Sequence, residues 1–279
     1  MKIRLPLIVL LAILFASSNS FGQGGATPLT PEVKTSAFLI GPTAGVNLVT
    51  HAATIQTFDN TDDIYGVNNT LCPAFEDGEG IGFWFGLTYE YPIGPPKTSN
   101  KSIIGRIVYN YMPGTFEVGG DDYLALDGNF NPVMTTTEHD GEVNYSMLSF
   151  EVAFKLNISK KIPLGITVGP VFDLILGKTH TQSYSLIEPN NVYFSPDDDY
   201  VYSNNNRTVT TFEGDMDGAA SFRVGMKIGI QYEILMGKNM LVPAIYYNYG
   251  VTEATDLHNW RVNAIQIGAD YRFSIKSLF

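Results

Sequence analysis

The chain ends AIQIGADYRFSIKSLF (Ala264–Phe279), a stretch in which side-chain character switches at nearly every step. Ile265, Ile267, Ala269, Tyr271, Phe273 and Ile275 share one face of an extended strand, and Gln266, Gly268, Asp270, Arg272, Ser274 and Lys276 share the other. Only Ser277 breaks the pattern before the terminal phenylalanine. The run outlasts the five or six residues of an ordinary soluble strand and puts charge on its polar face. It predicts a strand with one face in lipid and the other in a barrel lumen.

The tail resembles the C-terminal targeting strand of bacterial outer-membrane β-barrels, with Phe279 in the place of the terminal aromatic. The opposite end is consistent with export. Lys2 and Arg4 precede an apolar run from Leu5 to Ala16, and Ser20-Phe21-Gly22 places small residues before a cut. That layout predicts a signal peptide over residues 1–22. The apolar run is too short for a spanning helix, which needs about 20 residues. Residues 23–36 read as a short periplasmic leader and residues 37–279 as the barrel. With no other apolar run of spanning length in the chain, a closed barrel is the remaining structure that satisfies its backbone in a bilayer.

Eight strands follow from the period-two pattern: Ala37–Val49, Gly80–Ile93, Ser102–Tyr111, Asn144–Ile158, Leu164–Lys178, Ala219–Met236, Met240–Val251 and the tail from Trp260. Short turns (94–101, 159–163, 237–239) alternate with longer connections (51–78, 112–141, 179–218, 252–259). Short periplasmic turns and longer outer loops are the plan of an up-and-down antiparallel transmembrane barrel, all-β, with both ends in the periplasm. Ten strands stay possible, because Val192–Thr211 can pair above the membrane. A soluble lipocalin-like barrel would bury the apolar face instead. Against it, the apolar face is uncharged and rich in aromatics near the strand ends, as in the girdles of membrane barrels.

Charge sorts by position. The formal net charge is −11, which argues against nucleic acid as a partner. The long connections are acidic, with Asp62-Asp63, Asp121-Asp122 and Asp197-Asp198-Asp199, and Arg207 is their single base; the short turns carry Lys97, Lys101, Lys160, Lys161 and Lys238 and no acid. The aspartate clusters suit hard cations or a basic partner surface, or form a solvated surface on disordered loops, since the chain has no twelve-residue calcium loop. The lone Cys72 excludes an internal disulfide and reads as a loop thiol.

The polar faces turn Glu90, Arg106, Glu151, Lys155, Asp173, Arg223, Lys227, Glu233, Asp270, Arg272 and Lys276 inward. An eight-stranded barrel is wide enough only for side chains to fill it, so these groups predict a packed ionic network and a plugged lumen. The four histidines, His51, His139, His180 and His258, fall in the predicted loops or at their edges. His180 near Thr179 and Ser183, or His139 near Asp140, supplies fragments of a hydrolytic site. No metal-ligand spacing or nucleotide motif occurs, and no cofactor or metal is expected.

Val152–Leu176, with Lys160-Lys161, Pro163 and Gly169-Pro170, resembles the central hairpin of the small outer-membrane barrel family that includes PorT-like proteins and barrels of OmpA/OmpX type. The resemblance implies residence in a Gram-negative outer membrane, insertion by the barrel-assembly machinery, contact with outer-membrane lipids, and a part in secretion or envelope assembly. It carries no catalytic residue set. The resulting expectation is a non-enzymatic structural, adhesive or assembly role through the acidic loops. A narrow porin-like channel and a rim lipid or peptide hydrolase are the alternatives.

Overall fold

The computed structural model describes residues 37–56, 74–94, 99–119, 123–127, 131–158, 162–194, 200–216, 218–237, 239–255 and 260–276. The signal peptide, the leader, Asp62, Asp63, Cys72, Asp121, Asp122, Asp197, Asp198, Asp199, His258, Phe279 and the lysines of the turns other than Lys101 lie outside them, as does the Lys276 side chain. No helix among the described residues is long and apolar enough to cross a membrane.

Eight long strands close into a ring: β1 (Ala37–Gln56), β2 (Ala74–Ile93), β3 (Lys101–Tyr111), β6 (Pro132–Asn157), β7 (Leu164–Glu188), β10 (Phe222–Tyr232), β12 (Asn239–Gly250) and β13 (Arg261–Lys276). Each pairs antiparallel with its neighbour, and β13 pairs with both β12 and β1. Closure leaves the ring no free edge, as a spanning sheet requires. The strand count is settled at eight. The alternative of ten fails because the extra segments, β8 (Val201–Ser203) and β9 (Thr208–Asp215), pair with each other and with the far end of β7, away from the ring.

Outward positions through the middle of each strand are apolar and bare: Leu87 is 58% exposed and Ile228 53%. Soluble proteins do not leave such surface open in contiguous belts. The belt runs Ile40–Leu48 on β1, Ile81–Tyr91 on β2 and Leu148–Leu156 on β6, about the 9–11 residues with which a tilted strand crosses a bilayer. The barrel is transmembrane.

The long connections differ from expectation. β6 has 26 residues and β7 has 25, more than twice a membrane crossing, so much of what reads as loop in the sequence is strand. β4 (Gly114–Gly119) and β5 (Tyr123–Leu126) continue β3 beyond Met112-Pro113 and pair with β6. Pro113 has no N–H for the ladder, which accounts for the break there. β9 similarly continues upward from β10. A short β11 (Ile234–Met236) pairs with β12 near the turn end. Among the described residues, the result is a tower of paired strands rising from one side of the ring, where the sequence reads as connections.

Candidate functional site

The inward face of the ring is stacked in layers, best followed up β6 and β13 from the turn end. At the bottom, Leu39, Met240 and Val242 form a small apolar plug. Above it, seven ion pairs link eight side chains, seven from β2, β3, β6, β10 and β13 and Glu233 from the link between β10 and β11, into an unbroken alternating chain: Glu233, Lys155, Glu90, Arg272, Asp270, Arg106, Glu151, Lys227. Asp270 is a central node. It accepts hydrogen bonds from Thr43 Oγ1, from Arg106 Nη2 at 3.1 Å, and from Arg272 Nε at 3.1 Å and Nη2. Arg106 also lies over the Tyr246 ring, 4.8 Å from its centroid.

One layer higher, Arg223 donates to Asp173 through Nε at 2.9 Å and Nη2 at 2.8 Å. Ser149 donates to the same carboxylate, and Asn110 donates to Ser149 at 2.7 Å. Gln266 then donates to Asn110 at 3.0 Å and to Asn47 at 2.8 Å. The ten charged side chains in these two layers are all buried. Five are acids (Glu90, Glu151, Asp173, Glu233, Asp270) and five are bases (Arg106, Lys155, Arg223, Lys227, Arg272), so the layers are neutral as a whole. Pairing with such balance is what makes burial of charge tolerable in a low dielectric.

A second cluster of apolar side chains fills the lumen above. Val49, Ala53, Phe75, Met112, Phe116, Val143, Tyr145, Met147 and Trp260 are among its members. His51 sits inside it. Trp260 Nε1 donates to His51 Nδ1 at 3.1 Å, which leaves the proton on Nε2, 3.2 Å from the Met112 carbonyl that accepts it. With both ring nitrogens engaged, His51 is a packing residue. His139 stacks on Tyr184 at 4.4 Å and His180 lies 5.9 Å from Phe212. These three histidines are on strands and buried. Their expected placement in loops is therefore wrong, because the strands run on beyond the membrane belt.

Inward glycines make the filling possible. The Trp84 ring lies over Gly45 and Gly268, where an added Cβ would meet ring atoms at 2.7 and 2.5 Å, and the Tyr246 ring lies over Gly229 in the same way. Only a bare backbone admits such close approach. The alternation of the tail places Gly268 on the polar face but does not reveal the Trp84 ring above it.

The tower is the other candidate surface. Arg207 does not face solvent as a lone loop base. Its guanidinium donates to four backbone carbonyls, those of Pro189 (2.9 Å), Val192 (3.1 Å), Leu186 (2.7 Å) and Ile187 (2.9 Å). The hairpin beside it turns through Asn204, Asn205 and Asn206, all with positive φ of 51°, 56° and 60°, a conformation asparagine tolerates better than most residues. On the outward face of β4 and β6, Glu117 stands opposite Asp140, flanked by Glu138 and Glu142. Burial, and then these three carboxylates, push the Asp140 carboxyl above the usual carboxylate range. Among the described residues, no group of three or more His, Cys, Asp or Glu side chains is arranged to hold a metal ion.

No known protein-family profile and no curated protein sequence matches the chain. Among solved structures it is similar to Ail, the attachment invasion locus protein of Yersinia pestis, crystallised with the heparin analogue sucrose octasulfate (11% identity, 85% of this chain and 99% of that one, TM-score 0.31). It is also similar to Neisserial surface protein A (10% identity, 85% and 97%, TM-score 0.33) and to the outer-membrane protease OmpT of Escherichia coli (4% identity, 90% and 99%, TM-score 0.33). At these identities and TM-scores the likeness says nothing about activity.

Proposed function

We propose that this chain is an integral outer-membrane barrel of the small OmpA/OmpX and PorT-like kind, with a closed lumen and a non-enzymatic role in adhesion or envelope assembly. The observation that carries the reading is the division of labour between its surfaces. The belt meets lipid, the lumen is filled by its own side chains, and the acidic tower is the large polar surface left to meet another molecule. The lysine-bearing turns face the periplasm and the tower faces out, which places the acids of β4, β6 and β9 at the cell exterior. The fixed ion pairs of the lumen weigh against a solute channel.

The test is crosslinking in intact cells, comparing the parent with a variant in which 117–140 and 181–213 are replaced by short turns. Adducts and surface binding should disappear with the tower, while the barrel keeps its heat-modifiable gel mobility. Adducts that persist without the tower, or no adduct and no surface binding from the parent, would overturn the reading.

A further inference from the structure

The cross-strand registers of the tower give it two faces, and the outward one ends at an open edge. Reading across the sheet, Glu117, Asp140, Ser183, Thr210 and Val201 are successive partners on β4, β6, β7, β9 and β8. One row nearer the tip come Gly119, Glu138, Ser185, Thr208 and Ser203, and one row nearer the membrane Thr115, Glu142, Thr181 and Glu213. The face thus changes from carboxylates on one side to hydroxyls in the middle. At the far side lies β8, and no strand among the described residues pairs with its other edge.

Three features of this face remain unexplained by the fold itself. Exposed sheet edges are normally blunted by shortness, lysine, proline or an inward charge, and β8, three residues long, has only its shortness. β8 reads Val-Tyr-Ser, with Val201 68% exposed beside Tyr200 at 42% and, on the preceding limb, Tyr193 at 54%. Carboxylates directly opposite one another on a sheet are destabilising, yet Glu117 faces Asp140 with two more acids alongside. Finally, the four carbonyl bonds of Arg207 hold the chain at the edge in one shape, which lowers the ordering cost of any contact made there.

We propose that this outward tower face is a docking surface for a folded protein with a basic face, whose lysines and arginines meet Glu117, Glu138, Asp140 and Glu142 while apolar side chains cover Val201. The inference rests on the outward orientation proposed above. From β6 to β8 is three strand spacings, about 14 Å, farther than one extended peptide lying along the edge can reach. A folded surface is needed to touch both. The contact is small, so its affinity is modest and carried largely by charge, with steep salt dependence.

The experiment uses the full-length protein in nanodiscs with cytochrome c, a basic folded protein, as the probe and its lysine-acetylated form as the control. Binding is measured at low and at high salt. In Glu117→Gln/Glu138→Gln/Asp140→Asn/Glu142→Gln the affinity should fall about tenfold or more. Val201→Ser, which changes no charge, should weaken binding about threefold. Heat-modifiable mobility checks that every variant folds. If the face variant keeps the parent's affinity, this surface is the wrong one while the acidic exterior stands. If Val201→Ser has no effect, the edge is not part of the contact and the proposal fails. If the parent binds neither form of cytochrome c, both readings fall.

Discussion

Replacing Asp270 by asparagine changes one oxygen for one amide at the node of the ion chain, and it should destabilise the barrel sharply. Asp270 receives donors from Thr43, Arg106 and Arg272. The amide keeps the shape but turns an N–H₂ toward two guanidinium groups and leaves the five-and-five lumen with an excess positive charge. Stranding one partner of a buried pair costs about 3–5 kcal/mol. At a urea slope near 2 kcal/mol per molar, the unfolding midpoint should drop by about 1.5–2.5 M. Equilibrium urea unfolding in lipid vesicles reads this directly, because both tryptophans, Trp84 and Trp260, are buried inside the barrel. Adding Arg106→Gln restores neutrality, so the double variant should lose less than the sum of the singles, with a coupling of about 1–3 kcal/mol. A midpoint shift below about 0.5 M, or strict additivity, would refute the claim that these pairs act as one buried network.

Three further outcomes follow from single sites. Gly229→Val places a side chain into the Tyr246 ring and should cost about 1–3 kcal/mol by overpacking, seen in the same urea titration, with Gly229→Ala milder. Arg207→Ala should leave barrel unfolding unchanged but speed amide hydrogen exchange at Leu186, Val192 and Phe194, and Arg207→Lys should not restore it, since a lysine cannot span four carbonyls. Asp140→Asn should protect the tower from proteolysis at neutral pH. The folded-state pKa of Asp140 is raised, so its ionised form is a penalty present in full above that value, lifted as pH falls through it, and gone below the unfolded value. The advantage of the asparagine should therefore shrink on acidification.

Much of the barrel is legible in the sequence because the belt carries a clean signal: one face apolar, one polar, period two, over nine or more residues. The tower is not, for a physical reason. Along Thr135–Glu142 and Thr179–Ser185 both faces of the strands are mostly polar, so hydrophobic alternation, which reports contrast between faces, falls silent although the strands continue. The upper cluster left a signal that is easy to overlook, a reversal of phase. On β6, Val143, Tyr145 and Met147 point inward while Phe150, Val152 and Phe154 point outward. On β13, Val262 and Ala264 point inward while Ile265 and Phe273 point outward, and on β1 Val49 and Ala53 are likewise out of phase with Ile40–Val46. The switch marks where each strand leaves lipid and its apolar residues must find cover inside. Individual ion pairs were beyond reach, because the partners come from strands far apart in the chain and only shear and register bring Glu90 to Arg272 or Glu151 to Lys227.

Planar-bilayer recording on refolded protein tests the central claim most directly. A lumen filled by two apolar clusters around a neutral chain of ion pairs should give insertion without stable open-channel currents, at any applied voltage that leaves the barrel folded. Large, stable single-channel currents from the unmodified protein would contradict it.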